Sequence, residues 1–228
     1  MTYRPLLQLA DEVAARFGSG QEPWAESGVR AWLGWSSAHA HEKTDRELIW
    51  LVRYLKWRQP RQVVELGVRG GDFTEFLARA CQRVSDRTWV FGIDLFSRVA
   101  PGWLGHSLGW CQARLRQFER AGLILAESGQ AAMRFQPQTV GLVFVDADHQ
   151  YDAVRKDVLA WWSRLEQGGW LVCHDYRSVP EVAAALGSIF RPDQIGVLDP
   201  DSDYQMAVCI KTGERLVPGE ADAEVWYS

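Results

Sequence analysis

After Pro60 the chain alternates between short, almost wholly apolar runs and stretches with helical spacing, and this alternation narrows the fold more than any other feature. Strand-like runs lie at Gln62 to Leu66, Trp89 to Asp94, Leu123 to Ala126, Val140 to Val145 and Trp170 to Cys173. Between and after them, Phe73 to Val84, Trp103 to Ala121, Tyr151 to Leu165 and Val179 to Phe190 read as helices. Gly168-Gly169 is read as the stop of the third. Strands without a polar face are buried on both sides, so the spacing predicts a parallel sheet with helices on either face. Two final runs, Ile195 to Leu198 and Met206 to Ile210, are joined only by Asp199 to Tyr204. That link is too short for a parallel crossover and predicts an antiparallel hairpin.

The 228 residues suffice for one domain with a full core, and 47% hydrophobic content supplies the material for it. The reading divides the chain into an N-terminal helical extension over 1–60, a sheet domain over 61–212 and a polar tail over 213–228, for which the sequence offers no function. Thr44-Asp45-Arg46-Glu47 has the pattern of a capping box, with Thr44 as N-cap and Glu47 reaching back, and the helix behind it ends before Pro60. Met1 to Phe17 interleaves Arg4, Asp11, Glu12 and Arg16 with apolar residues, which reads as an amphipathic helix and not as a signal peptide. Cys81, Cys111, Cys173 and Cys209 show no metal-finger spacing, and Cys173 and Cys209 fall in apolar runs as buried thiols. A cytoplasmic protein is expected on that ground. A net charge of -4 gives no footprint for nucleic acid, and no apolar run reaches the ~20 residues needed to span a membrane. The expected partner is a small molecule, with a homo-oligomer left open.

Polar groups recur where the strands end, and ligands of open α/β sheets bind beyond those ends. The first strand runs into Glu65-Leu66-Gly67-Val68-Arg69-Gly70-Gly71-Asp72. This turn lacks G-x-G-x-x-G, and a carboxylate two positions before its first glycine would repel a pyrophosphate. It suits a ligand with an ammonium and a sulfonium. Asp94 ends the second strand, where an acid can accept both ribose hydroxyls. Ser128 follows the third strand and can meet an adenine edge, and Asp146 follows the fourth. Each of these alone is equally readable as a helix cap or loop bond.

Together, Glu65-x-Gly67-x-x-x-Gly71, Asp94 and Ser128 resemble the cofactor motifs of class I S-adenosylmethionine-dependent methyltransferases. Asp146-Ala147-Asp148-His149-Gln150-Tyr151 and Cys173-His174-Asp175-Tyr176 resemble the small-molecule O-methyltransferases of catechol, caffeoyl-coenzyme-A and macrolide-sugar type. The likeness covers about Gln62 to Thr212. It implies a Rossmann-like, doubly wound, seven-stranded sheet that is mostly parallel, and a cofactor cleft built from Glu65, Gly67, Val68, Arg69, Gly71, Asp94, Leu95, Ser128, Asp146 and Ala147. It also implies methyl transfer to a hydroxyl of a sugar, polyketide or phenol, the chemistry of natural product biosynthesis. By the catechol-type pattern Asp146, His174 and Asp175 fall on metal-ligand positions, and His149 on the position of the general base, with Asp146 beside it.

His174 stands where those relatives mostly carry an acid, so the set departs from an all-oxygen Mg²⁺ site. One imidazole with two carboxylates suits Mn²⁺, Fe²⁺ or Zn²⁺ better. A metal-free site, with His174 bonded to substrate or to an aspartate, is the alternative. Asp148 reads as a helix N-cap. Tyr151 and Tyr176 read either as pocket wall or as packing. Trp24, Trp32, Trp35, His39 and His41 are candidates for a lid, with packing or plain surface as the other reading, and Phe96 to His106 is a candidate substrate loop. Two other functions remain on this scaffold: a metal-dependent hydroxylase or hydrolase, and a binding protein without turnover.

Overall fold

The computed structural model describes residues 22–37, 42–96 and 108–212. Seven strands form a single sheet: β1 Gln62–Leu66, β2 Trp89–Asp94, β3 Ala121–Leu125, β4 Val140–Val145, β5 Leu165–Cys173, β6 Gly196–Val197 and β7 Ala207–Ile210. Their order is β3-β2-β1-β4-β5-β7-β6. The first five are parallel, β7 runs antiparallel to β5, and β6 pairs antiparallel with β7. The predicted doubly wound sheet with its C-terminal hairpin is therefore observed. The order reverses between β1 and β4, which opens a crevice beyond their carboxyl ends.

Helices α1 Val29–Leu33, α2 Asp45–Arg58 and α3 Asp72–Val84 cover one face, and α5 Ser128–Ala132, α6 Tyr151–Trp162 and α7 Pro180–Gly187 the other. α4, Leu108–Leu115, precedes β3. Alternate strand residues feed the two layers. Val63, Leu142, Phe144, Trp170 and Val172 pack with the first group, and Val64, Leu66, Val143, Leu171 and Cys173 with the second. Both faces are thus dry, which is why the strands read as continuous apolar runs. α2 shares one core with β1, β4 and β5. Tyr54 stacks on Trp170 with ring centroids 4.3 Å apart and donates its hydroxyl to the Gly141 carbonyl at 2.5 Å.

Several boundaries differ from the sequence reading. Within the described residues the helix read at Trp103 to Ala121 is α4, and Ala121 already opens β3. The helix read as ending at Leu165 stops at Trp162, with Ser163 as C-cap. Gly168 and Gly169 lie inside β5, where the pairing with β4 shifts register, so they form a bulge and not a helix stop. Gly168 has φ 75°, and a Cβ there would press on the Arg58 guanidinium at 3.3 Å. The lid reading of the tryptophans also fails. Trp24 is 3% and Trp35 5% exposed, and the Trp35 indole donates to the Asp72 carbonyl at 2.9 Å. Trp24 and Trp32 meet edge to face and line a separate crevice with Trp57 and Arg83. Met1 to Phe17, His39, His41, all of the Phe96 to His106 loop beyond Phe96, and the tail 213–228 lie outside the described residues. Among the described residues no helix is long and apolar enough to cross a membrane.

The capping box forms, with Thr44 Oγ1 accepting from the Glu47 amide and Glu47 Oε2 from the Thr44 amide at 2.8 Å. It also reaches across the fold. Thr44 Oγ1 donates to Asp199 Oδ2 at 2.7 Å, and buried Glu47 Oε1 accepts from the Met206 amide at 2.8 Å, which ties α2 to the start of β7. Thr44→Ala should therefore cost about 1–2 kcal/mol, the usual loss for an N-cap. Glu47→Ala should cost more, because it also strands a buried amide at about 1–3 kcal/mol. Chemical denaturation of both variants checks the order; equal or negligible losses would show that the box does not anchor the hairpin.

Candidate active site

A cavity of 760 Å³ opens across the carboxyl ends of β1, β2, β4 and β5. Its wall includes Glu65, Gly67, Val68, Arg69, Asp94, Leu95, Ser128, Asp146 and Ala147, so the structure brings nine of the ten sequence-predicted cofactor residues onto one surface. Gly71 is the exception. It caps α3 at φ 78° and faces Cys111 and Arg114 from behind the turn, so it shapes the loop without facing the cleft.

Gly67 makes the arrangement possible. At φ 86° a Cβ would lie 2.2 Å from the Asp146 carbonyl oxygen, so only glycine lets the tips of β1 and β4 come together. Glu65, 1% exposed, accepts a short hydrogen bond from the Thr74 hydroxyl. Burial pushes its pKa well above the carboxylate range, and the neighbouring charges of Asp146 and Asp94 add to this, against Thr74 and Lys43. A cationic group arriving beside Glu65 would restore its charge. Asp94 is pinned by three amides: Val68 and Arg69 donate to Oδ2 at 2.9 and 3.0 Å, and Phe96 to Oδ1 at 2.7 Å. A carboxylate has about four acceptor sites. One remains for a ribose, so gripping both hydroxyls requires an amide to let go.

At the far end Ser128 Oγ accepts from the Trp161 indole at 3.0 Å. Beside it lies Asp157, which the sequence reading missed. It is almost wholly buried on α6, and burial pushes its pKa up to about 6. Its position in the middle of an amphipathic helix gives no local sign of a cleft residue. Tyr151 and Tyr176 do not line the cavity, whereas Tyr204 does. Asp148 Oδ1 accepts from the Gln150 amide at 3.0 Å, one turn ahead of α6, while the N-cap position itself is Gln150.

The chemistry concentrates at the tips of β4 and β5. Asp175 adopts φ 59°, and its carboxylate lies in one cluster with that of Asp146. His149 Nε2 lies 3.1 Å from Asp175 Oδ2 and 3.6 Å from Asp146 Oδ1, yet it makes no hydrogen bond among the described residues. His174 is placed differently from its expected ligand role. It is 2% exposed, with Nδ1 on Asp175 Oδ2 at 2.9 Å and Nε2 on the Glu42 carbonyl at 3.1 Å. Both nitrogens are engaged, so His174 supports Asp175 from behind, and His149 takes its place in the candidate metal set. Ligand atoms of Asp146, His149 and Asp175 all lie within 4.8 Å of one another. The orphaned imidazole nitrogen between two carboxylates fits a divalent cation, and one nitrogen with two oxygen donors favours Mn²⁺, Fe²⁺ or Zn²⁺ over Mg²⁺.

The electrostatics of the ion-free cluster agree. Asp146 and then Asp175 hold the His149 imidazolium, whose pKa is pushed up to about 10. Burial opposes the charge on His174, but Asp146 and Asp175 outweigh it and leave its pKa raised to about 9. Burial also opposes ionisation of Asp146, and Lys43 with both imidazoles holds it well below the usual range. Groups with raised pKa stabilise the fold fully below their unfolded value of about 6.5 and lose that contribution as pH rises through the folded value. Ion-free protein should therefore melt at progressively lower temperature from pH 7 to 10, and the slope should be shallower in His149→Gln. A parallel decline in both proteins would contradict the assignment.

A family model for a methyltransferase domain matches residues 64–176. Among solved structures the chain is similar to CalS11, described as a calicheamicin methyltransferase, with TM-score 0.59 and 16% identity over 90% of this chain and 91% of that one. It is similar to the O-methyltransferase NovP with TM-score 0.56 and 17% identity over 91% and 99% of the two chains. An O-methyltransferase from Bacillus cereus in complex with SAH gives TM-score 0.56 at 14% identity over 89% and 97%. A curated relative, uncharacterized protein R132 of Acanthamoeba polyphaga mimivirus, is 33% identical over 67 residues, 28% of this chain and 30% of that protein's length. Fold, cleft and family match agree: the chain carries a methyltransferase domain over residues 64–176, on the sheet fold that class I S-adenosylmethionine-dependent methyltransferases share.

Proposed function

We propose that the enzyme transfers the methyl group of S-adenosylmethionine to a hydroxyl of a small molecule such as a sugar, polyketide or phenol, with a divalent cation held by Asp146, His149 and Asp175. The observation that carries this reading is the pair of carboxylates flanking the unbonded His149 Nε2 in the same cavity as Glu65 and Asp94. In the displacement the acceptor oxygen forms a bond to the methyl carbon as the carbon–sulfur bond breaks, the electron pair stays on sulfur to give S-adenosylhomocysteine, and the hydroxyl proton passes to solvent water. Such a cation acidifies a hydroxyl that binds it and orients the oxygen.

His149 as a free general base fits less well. Between two aspartates it stays protonated to about pH 10, so it has no vacant site for a proton at neutral pH. As a metal ligand it is neutral by necessity. His174 and Ser178 hold Asp175 in place, the latter by donating its hydroxyl at 2.6 Å. CalS11 is described as a TDP-rhamnose 3′-O-methyltransferase, which supports a sugar among the acceptors to be tried first.

Stripping divalent ions with a chelator should abolish methyl transfer in a screen of hydroxylated acceptors, and Mn²⁺ should restore it better than Mg²⁺. His149→Ala and Asp175→Ala should each lower turnover at least a hundredfold while leaving S-adenosylhomocysteine binding by calorimetry within a few-fold of wild type. Full activity in the chelated protein would overturn the metal role. Tightly held iron with oxygen-dependent turnover and no S-adenosylmethionine consumption would favour a hydroxylase instead.

A further inference from the structure

Lys43 belongs to none of the motifs above, yet it lines the cavity and the residue is only 6% exposed. It lies 3.3 Å from Asp146 Oδ2 and over the rings of Phe73 at 5.1 Å and Phe144 at 5.8 Å. Phe144 is the residue of β4 in register with Glu65 of β1, and Phe73 stands in the first turn of α3, just past the glycine turn. Lys43 is thus fixed at the Glu65 end of the cleft. Among the described residues, the other cations of the wall are committed elsewhere. Lys156 pairs with Glu127 at 2.8 Å near Ser128, and Arg69 faces Glu42 at 3.9 Å while its amide holds Asp94. His149 lies between Asp146 and Asp175.

The cofactor ends in an amino acid, with an ammonium and a carboxylate on one carbon. A pocket that offers Glu65 to the ammonium must also meet the carboxylate, with a cation or with hydrogen-bond donors, or bury that charge unpaired at a cost of several kcal/mol. We propose that Lys43 pairs with the α-carboxylate of S-adenosylmethionine and makes the cleft selective for the complete amino-acid end of the cofactor. The inference rests on the cofactor assignment and not on the metal. An ammonium has three donors, and Asp146 occupies one. The two phenyl faces hold the cation without consuming any of the others. Asp146 then has two tasks: its Oδ2 steadies Lys43 toward the cofactor, and its Oδ1 faces the two histidines.

The test is calorimetric titration of the full chain with S-adenosylhomocysteine and with its decarboxylated analogue, which keeps the ammonium and lacks the carboxylate. Wild type should prefer S-adenosylhomocysteine at least tenfold. Lys43→Met should erase most of that preference by weakening S-adenosylhomocysteine alone, and Lys43→Arg should keep part of it. Equal weakening of both ligands in Lys43→Met, the pattern of a purely structural lysine, would overturn the proposal, as would a wild type without preference. Failure of wild type to bind S-adenosylhomocysteine would sink the cofactor assignment itself. Should Lys43→Met lose its cooperative melt, the Lys43 ammonium signals of labelled wild type give the same answer: they should move with S-adenosylhomocysteine and stay with the analogue. The reverse pattern would refute the pairing.

Discussion

The contact between Gly67 and the backbone of Asp146 is the constraint on which the site depends. With any side chain at Gly67, the tips of β1 and β4 would be forced apart by a Cβ only 2.2 Å from a carbonyl oxygen. Their meeting sets the turn behind Glu65, held by Asp94, against the turn that carries Asp146 and His149. A cofactor cleft and a reaction centre thereby share one wall. The amides of Val68 and Arg69 close on Asp94, so the glycine turn is hydrogen-bonded to the end of β2 while it packs on the end of β4.

The second organising feature is charge. Asp146 faces Lys43, His149 and His174, and Asp175 faces the two histidines; these cations favour the ionised carboxylates against the opposing effect of burial. The arrangement is poised for exchange. A divalent ion can replace the proton on His149, and the cofactor's ammonium can replace the proton on Glu65. Under the proposed function, binding energy from both ligands would be directed at the point where the methyl group moves, with Asp146 and Asp175 set just past strands paired within the sheet.

Much of this could be read in the sequence, for a local reason. An acid at the close of an apolar run marks a strand end without knowledge of the rest of the chain, as Asp94 and Asp146 do, and Glu65 stands out by its spacing from the glycine turn. What stayed hidden depends on contacts across the fold. Gly168-Gly169 resembles a helix stop until the Arg58 guanidinium is placed over it. His149 and His174 are equally plausible ligands in one dimension. They part only when Glu42, distant in sequence, accepts from His174 and leaves His149 unbonded. Lys43 and Asp157 sit in ordinary helix-flanking and helical contexts with nothing local to mark them. The tryptophans of the N-terminal segment suggested a lid by their chemistry, whereas packing against α2 and α3 decided their place.

The central claim is that the methyl group of the bound cofactor points at Asp146, His149 and Asp175. Paramagnetic relaxation reads this directly, with carbon-13 in the S-methyl group of S-adenosylmethionine bound to the enzyme and Mn²⁺ added in stoichiometric amount. Severe broadening of the methyl signal is expected, weakening when Asp175 is replaced by alanine. A methyl signal left sharp by tightly bound Mn²⁺ would place the metal away from the reacting carbon and contradict the account.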